Sequence, residues 1–187
     1  TNVTLDTAAG SDIVTLGELV GGIAQGGIET VAGTVKLDLG ETTDGASDND
    51  QFTLIGDITS NVDIDFDSGA GADVVTVNGT MTATTDMIDI DSGAGVDEIT
   101  VTGTMTTDAA AIDINTGSDS DRFTVKGLIK AQTNVTLDTA DGSDIVTLGE
   151  LVGGIAQGGI ETVAGTVKLD LGETTDGASD NDQFTLI

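Results

Sequence analysis

The run Ile88-Asp-Ile-Asp-Ser-Gly-Ala-Gly-Val-Asp97-Glu-Ile-Thr-Val-Thr-Gly103 contains the pattern that decides the fold. Apolar residues alternate with polar ones on both sides of a Gly-rich turn, at Ile88 and Ile90 and again at Ile99 and Val101. Strict alternation of this kind is typical of a half-buried β-strand. The run therefore predicts two short strands joined by a turn that ends at Asp97.

The same pattern recurs along the chain, and the aspartate that ends each turn marks its period. A third short alternation, such as the one around Met105, closes each regular unit. The spacings between the turn aspartates are 38, 23, 24, 24, 23 and 38 residues. The aligned residues are Asp12, Asp50, Asp73, Asp97, Asp121, Asp144 and Asp182.

Five of these units make one longer repeat. Residues 133–187 match residues 1–55 at an offset of 132 with one difference, since Ala9 becomes Asp141. Self-similarity at a fixed period is the signature of a repeat array. We expect residues 1–132 to be one full repeat and residues 133–187 to begin the next. Both would belong to one continuous structure, a window cut from a longer repetitive protein.

The unit length indicates how the apolar faces are buried. A unit of ~24 residues cannot bury its own apolar face, whereas stacked units bury it together. The sequence therefore predicts an all-β fold, a parallel β-solenoid with ~24-residue rungs and five rungs per 132-residue repeat. A tandem array of antiparallel sandwiches is disfavoured, because a sandwich needs roughly 100 residues. The expected internal columns are Ile64, Ile88, Ile112 and Val135, and Val75, Ile99, Phe123 and Val146.

The composition excludes several classes of function. The chain has 33 acidic and 5 basic residues, a formal net charge of −28, and neither Cys nor His. The usual ligands of zinc and copper are therefore missing. A polyanion should not bind nucleic acid, and anionic membrane surfaces should repel it. No apolar run approaches the ~20 residues that span a bilayer, so we expect no membrane insertion.

The turns carry a recognisable motif. Residues 69–75 and 93–99 read G-x-G-x-D-x-h, where h is apolar. This motif resembles the RTX nonapeptide of calcium-binding parallel β-rolls, although the family's first Gly is Ser68 or Ser92 here and each rung has one motif. The resemblance implies that turn carboxylates and backbone carbonyls bind Ca²⁺ between adjacent rungs. A broader likeness is to the giant, repetitive β-solenoid proteins of bacterial surfaces.

Charge density independently favours bound cations. Residues 1–132 hold 23 acids and 4 bases. Five rungs at ~4.8 Å would place this charge on ~24 Å of length, which is denser than duplex DNA. Carboxylate-only sites suit Ca²⁺ better than Mg²⁺. The alternative is a set of plain Gly/Asp turns with solvated acids. The expected calcium ligands are Asp6, Asp12, Asp38, Asp48, Asp50, Asp67, Asp73, Asp91, Asp97, Asp119, Asp121, Asp138, Asp141, Asp144, Asp180 and Asp182.

Stacking at this register also predicts which charged residues meet. Glu98 should lie beside Arg122, and Lys36 beside Asp65, as opposite charges on adjacent rungs worth roughly 0.2–1 kcal/mol each. Asp65, Asp89 and Asp113 should instead stack like on like.

The 38-residue units contain two insertions. One enlarges the turn at residues 41–50. The other, within residues 17–33, is unusually apolar for a loop. It predicts either an extra strand packed on the flank of the solenoid or a lateral docking patch between fibres or subunits.

Parts of the sequence also fit two other functions. Arg122, Lys126 and Lys130 share a rung with Asp119 and Asp121, which resembles the charge cluster of a polysaccharide-cleaving β-helix. The chain has no Trp or Tyr for sugar stacking, so we interpret the cluster as cross-rung pairing and expect no enzyme. An outward Thr column could bind ice, and β-propensity on an exposed face explains it equally. Its members are Thr76, Thr100, Thr124 and Thr147.

The sequence therefore predicts a structural protein of the cell surface or extracellular space. It would form a stiff, calcium-stabilised fibre, matrix or surface-layer element. Its partners would be further copies of itself, joined end to end and side by side. The alternative is the repeat stalk or binding module of a large adhesin, including one that binds ice or glycan.

Overall fold

The computed structural model describes residues 2–7, 10–20, 23–29, 32–40, 48–172 and 181–187. These residues form 24 short β-strands joined by turns and bends, and no helix occurs among them. Accordingly, this described part contains no helix of the length and apolarity that would cross a membrane. The all-β prediction is confirmed.

The first sheet has seven parallel strands, one from each successive unit of the sequence. Ile88 pairs with Ile64 on one side and with Ile112 on the other, so neighbouring strands are offset by 24 residues. In spatial order, the strands are β1 (Val3–Asp6), β6 (Val35–Asp38), β9 (Ile64–Asp67), β12 (Ile88–Asp91), β15 (Ile112–Asn115), β18 (Val135–Asp138) and β23 (Val167–Asp170).

The second sheet repeats this arrangement with the strands that follow the turns. Val75 pairs with Ile99, which pairs with Phe123 in turn. In spatial order, the strands are β2 (Ile13–Leu16), β7 (Gln51–Ile55), β10 (Val74–Asn78), β13 (Glu98–Val101), β16 (Arg122–Val125), β19 (Ile145–Leu148) and β24 (Gln183–Leu186).

The third sheet contains the short strand that closes each unit. Met81 pairs with Met105, which pairs with Ile129. In spatial order, its parallel strands are β22 (Gly159–Thr162), β17 (Leu128–Ala131), β14 (Met105–Thr107), β11 (Met81–Ala83), β8 (Asp57–Ser60) and β5 (Gly27–Glu29). Two antiparallel hairpins complete the described strands, namely β3 (Glu18–Val20) with β4 (Ile23–Gln25), and β20 (Glu150–Val152) with β21 (Ile155–Gln157).

All three sheets contribute side chains to one apolar core. The predicted internal columns are confirmed, because each member is at most 2% exposed and pairs with the next in register. Burying one such Ile or Phe side chain stabilises the fold by roughly 1.5–3 kcal/mol. Phe52 and Phe66 connect the first two sheets through an edge-on ring contact at 5.8 Å. Parallel sheets that share one core and take one strand from each unit are compatible with a β-solenoid.

The predicted charge register is largely confirmed. Lys36 pairs with Asp65, and their charged atoms lie 3.9 Å apart. Glu98 lies beside Arg122 in register, but no ion pair within 4.0 Å joins these two described side chains. Asp89 pairs with an aspartate on each side, as predicted. Burial raises its pKa, and the like charges of these two neighbours raise it further.

Only part of the apolar insertion packs against the sheets. Its residues form the β3–β4 hairpin, in which Leu19 and Ile23 are 63% and 66% exposed. Ile28, which follows the hairpin, is buried in the third sheet. The structure therefore divides the insertion into one strand of the third sheet and one projecting hairpin. Most of the other insertion, residues 41–47, lies outside the described residues.

Candidate functional site

The seven turn aspartates form a continuous hydrogen-bonded column, which we call the aspartate ladder. In each unit, the backbone N–H of the turn aspartate donates to Oδ1 of the turn aspartate in the next unit. At these positions the acceptor of the N–H is a side-chain oxygen, whereas in a β-sheet it would be a backbone carbonyl oxygen. The six bonds are Asp12 to Asp50 at 2.6 Å, Asp50 to Asp73 at 2.7 Å, Asp73 to Asp97, Asp97 to Asp121 and Asp121 to Asp144 at 2.8 Å, and Asp144 to Asp182 at 2.9 Å.

The five inner members of the ladder, Asp50 to Asp144, are buried because of strand alternation. Asp97 stands two residues before Ile99 and four before Val101, and alternate residues of a strand face the same side. All three side chains are at most 2% exposed. The second carboxylate oxygen, Oδ2, is buried without a hydrogen-bond partner in Asp12, Asp73, Asp97 and Asp121.

A column of hydroxyl side chains is also buried in the turns. The Ser68 hydroxyl donates to the carbonyl of Ser92 at 3.0 Å, and the Ser92 hydroxyl donates to the carbonyl of Thr116 at 2.8 Å. The hydroxyls of Thr116 and Thr139 are buried without a partner. The hydroxyls of Ser68, Ser92 and Thr116 lower the pKa of Asp73, Asp97 and Asp121, respectively, but this effect is smaller than that of burial.

Burial raises the pKa of Asp73 and Asp97 to about 6, and that of Asp121 to about 7. The carboxylate of the preceding unit raises each value further, whereas the backbone N–H that the carboxylate accepts lowers it. An unpaired buried carboxylate is costly, and proteins usually neutralise such groups. The ladder is therefore chemically suited to hold protons, since a protonated Oδ2 is neutral.

Glycine allows the turns to stack this closely. A side chain at Gly93 would place its Cβ 1.6 Å from the carbonyl oxygen of Gly69 in the preceding unit. The residue also has a φ of +83°, which L side chains rarely adopt. Asp119 replaces the second glycine of the motif and keeps a positive φ of +85°. Aspartate tolerates this conformation better than most residues, which explains how the third regular turn departs from the pattern.

Four further predicted ligands cap the turns from the outward-facing positions of the first sheet. In each case the carboxylate accepts the backbone N–H of the residue two positions later, an Asx-turn bond. Asn115 makes the same bond to Gly117 at 3.1 Å, so this role requires no charge. The capping acids are Asp38 at 3.0 Å, Asp67 at 3.1 Å, Asp91 at 3.0 Å and Asp138 at 3.1 Å.

The remaining predicted ligands are dispersed. Asp48 Oδ2 accepts the N–H of Gly10 at 2.6 Å. Asp119 and Asp141 are exposed, and the N–H of Asp119 donates to the carbonyl of Asp141 at 2.8 Å. Asp6 pairs with Asp38 in the first sheet. Asp180 lies outside the described residues.

The fit of these residues to Ca²⁺ is limited. Calcium ions in proteins are typically coordinated by about six to eight oxygen atoms. Within the described ranges, no three acidic side chains converge where they could hold a metal ion. The ladder offers oxygen atoms in a line, one unpartnered Oδ2 for each of four aspartates. The ladder therefore fits protons better than Ca²⁺, and the calcium prediction stays a prediction.

The basic cluster is divided between two sheets. Arg122 begins a strand of the second sheet, while Lys130 lies in the third sheet and pairs with Glu161 at 3.3 Å. Asp121 is buried in the ladder. The cross-rung pairing that the sequence predicts is seen for Lys130.

Comparisons with family models, with curated proteins and with solved structures found no match to this chain. The RTX resemblance is therefore carried by the turn motif alone.

Proposed function

We propose that the chain forms a closed parallel β-solenoid with ~24-residue rungs and serves as a stiff structural element of a fibre, matrix or surface layer. The observation that carries this proposal is the unbroken register of the first two sheets. Each takes one strand from all seven units without a change of direction. A stack that keeps one register can be lengthened by adding repeats, so the molecule is suited to span distance.

The dense acidic surface supports a place outside the cell. With a net charge of −28, the chain resists non-specific association and requires counter-ions, which an extracellular medium supplies. We propose further copies of the same chain as its partners.

Protons and metal cations neutralise different parts of this negative charge. Protons neutralise the buried ladder, where Asp73, Asp97 and Asp121 each have one unpartnered oxygen. Ca²⁺ binds the exposed turn acids such as Asp91 and Asp141, where water can complete its ligand shell. This division follows from burial, since a hydrated cation requires space that the ladder does not provide.

The test is the length of engineered arrays. Proteins with one, two and three copies of the 132-residue repeat are compared by small-angle X-ray scattering and electron microscopy. Each added repeat should lengthen the particle by ~24 Å, five strand spacings of ~4.8 Å, at constant cross-section. A radius that grows in all directions, as for a compact globule, would contradict the proposal.

A further inference from the structure

Two hairpins, formed by residues 17–20 with 23–26 and by residues 149–158, project apolar side chains into solvent, and we call them the arms. Val20 is 55% exposed and Ile23 is 66% exposed, and the second arm repeats these values within a few per cent. Within the arms, Val20 pairs with Ile23 and Leu19 pairs with Ala24. Consecutive residues of a strand face opposite sides, so both faces of the arm carry apolar groups.

The arms are anchored firmly at their base. A Cβ at Gly26 would lie 2.6 Å from the Cα of Gly17, and a Cβ at Gly56 would lie 2.4 Å from the carbonyl oxygen of Gly26. These close backbone approaches join the hairpin to the neighbouring unit. In the second arm, a Cβ at Gly158 would lie 2.7 Å from the Cα of Gly149. Each arm therefore leaves the sheets at a fixed place.

The two arms lie at a defined separation. One follows β2 and the other follows β19, which are five strand steps apart in the second sheet. Five steps of ~4.8 Å place the arms ~24 Å apart on the same border between the second and third sheets. The intervening units cross this border in one to three residues without a hairpin.

We propose that the arms are a lateral docking surface for a second copy of this chain. The inference rests on the proposed function, because it takes the units to stack in a straight rod. A second copy carries the same arms at the same separation, so two contacts form together. Once the first contact has formed, the second forms within the same complex, at a high effective concentration. The overall avidity of two linked contacts therefore typically exceeds the affinity of one by ~10²–10⁴-fold.

Charge favours the arms as the place where two copies meet. Glu18 and Glu150 are the charged residues of the two arms, so the other 31 of the 33 acids lie elsewhere. Two rods repel each other along their bodies, whereas the nearly neutral arms can meet while holding the bodies apart. An isolated two-stranded hairpin is marginal in water, so contact between arms would also stabilise each hairpin.

The experiment compares the chain with a four-threonine variant, Val20→Thr, Ile23→Thr, Val152→Thr and Ile155→Thr. Threonine keeps the β-propensity and removes the apolar surface. Val96→Thr, at a 58% exposed position outside the arms, is the matched control. Association is measured by sedimentation velocity and small-angle scattering, with NaCl raised to screen repulsion. A side-by-side pair doubles the cross-section, while end-to-end association changes only the length.

The parent chain and the Val96→Thr control should form side-by-side pairs, more strongly as NaCl rises. The four-threonine variant should bind at least tenfold more weakly. Changing only the second arm, by Val152→Thr with Ile155→Thr, should also weaken pairing at least tenfold, because one contact is lost. Equal pairing by all variants, or no pairing by the parent chain, would overturn the inference.

Deleting residues 74–97 tests the spacing argument. This deletion removes one regular unit and brings the arms to four strand steps. The shortened chain should pair with itself and fail to form two-arm pairs with the parent chain. Strong mixed pairs would contradict the matched-spacing argument. Array lengths of ~24 Å per repeat, measured on the same samples, would show that the rod survives even if the arms do not pair.

Discussion

The backbone N–H of Asp97 donates to Oδ1 of Asp121 at 2.8 Å, and both carboxyl groups are at least 97% buried. The bond joins two residues of the same kind, 24 positions apart, through one backbone and one side-chain group. The same bond is repeated along the turns and connects the aspartates into a column. Two neighbouring aspartates that were both ionised would destabilise this column, because their like charges repel. Protonation of some of its members removes that conflict.

Stability should fall as pH rises from about 4 to about 7, the reverse of ordinary acid denaturation. Asp73, Asp97 and Asp121 have folded-state pKa values of about 6, 6 and 7 against 3.8 when unfolded. A raised carboxyl pKa means that the folded state binds protons more tightly. This contribution is complete below the unfolded pKa and is lost as pH rises through the folded pKa.

Urea unfolding in EGTA, followed by circular dichroism across this pH range, measures the effect. We expect the free energy of unfolding to decrease by at least roughly 1 kcal/mol for each of the three carboxyls. The series is repeated at high salt, which screens surface repulsion but leaves the buried groups largely unaffected. A free energy that is constant or increases with pH at high salt would be incompatible with a protonated ladder.

Asp97→Asn should stabilise the fold above about pH 7 and have little effect below about pH 4, because it makes the buried group permanently neutral. The amide oxygen can still accept the N–H of Asp73, which the carboxylate accepts at 2.8 Å. Asp97→Ala should instead cost roughly 1–3 kcal/mol at both pH values, since that N–H is left buried and unpaired. Denaturant midpoints at the two pH values test both variants.

Asp91→Asn is the matched control for these variants. Asn115 occupies the equivalent position one unit later and makes the same turn bond. The Asp91 variant should therefore show little change in stability and no reversal with pH. An Asp97→Asn variant that is less stable than the parent chain at high pH would contradict a neutral role for the ladder.

Gly93→Ala should strongly destabilise the stack, whereas Ala140→Gly should stabilise it. The new Cβ at residue 93 would lie 1.6 Å from a backbone oxygen that cannot move independently. Ala140 stands at the matching position of a later turn with a φ of +51°. Removing its Cβ relieves a left-handed conformation that costs roughly 1–2 kcal/mol, partly offset by the entropy of glycine.

Thermal unfolding of both glycine-position variants gives the test. We expect a stabilisation of up to about 1 kcal/mol for Ala140→Gly and a loss above about 3 kcal/mol for Gly93→Ala. Effects of the same sign in both variants would show that turn sterics do not govern stacking.

Calcium affinity should depend on Asp141 if the exposed turn acids bind the ion. The turn at residues 138–144 has a carboxylate where the turn at residues 6–12 has Ala9, and we predict the tighter site in the former. Asp141→Ala removes this difference, so isothermal titration should show the loss of the tighter class of sites. An unchanged titration would remove Asp141 from the ligand set.

Much of the fold was predictable because the apolar alternation and the unit period jointly determine register. The pairing of Ile64 with Ile88 follows from that period, and so does that of Lys36 with Asp65. The sequence allows two placements of the apolar insertion, a strand packed on the flank or an exposed docking patch, because apolar residues such as Leu19 fit either one. Only the stacked backbone shows that this segment projects.

The ladder was only partly predictable. The unit period aligns its members correctly, and the turn motif predicts Ca²⁺ as their ligand, which stays a prediction. The inward direction follows from alternation, since Asp73 shares a face with Val75, and Ser68 shares one with Phe66. The hydrogen bond from backbone N–H to Oδ1 depends on the exact distance between stacked turns, which cannot be read from the sequence pattern.

The most direct test is infrared spectroscopy of the folded protein in EGTA, titrated between about pH 5 and about pH 8. The account predicts a protonated carboxylic acid band that disappears as the ladder ionises near pH 6 to 7. The same band should be reduced in a combined Asp73→Asn, Asp97→Asn and Asp121→Asn variant. A folded protein whose carboxyl groups are all ionised at about pH 5 would contradict the account.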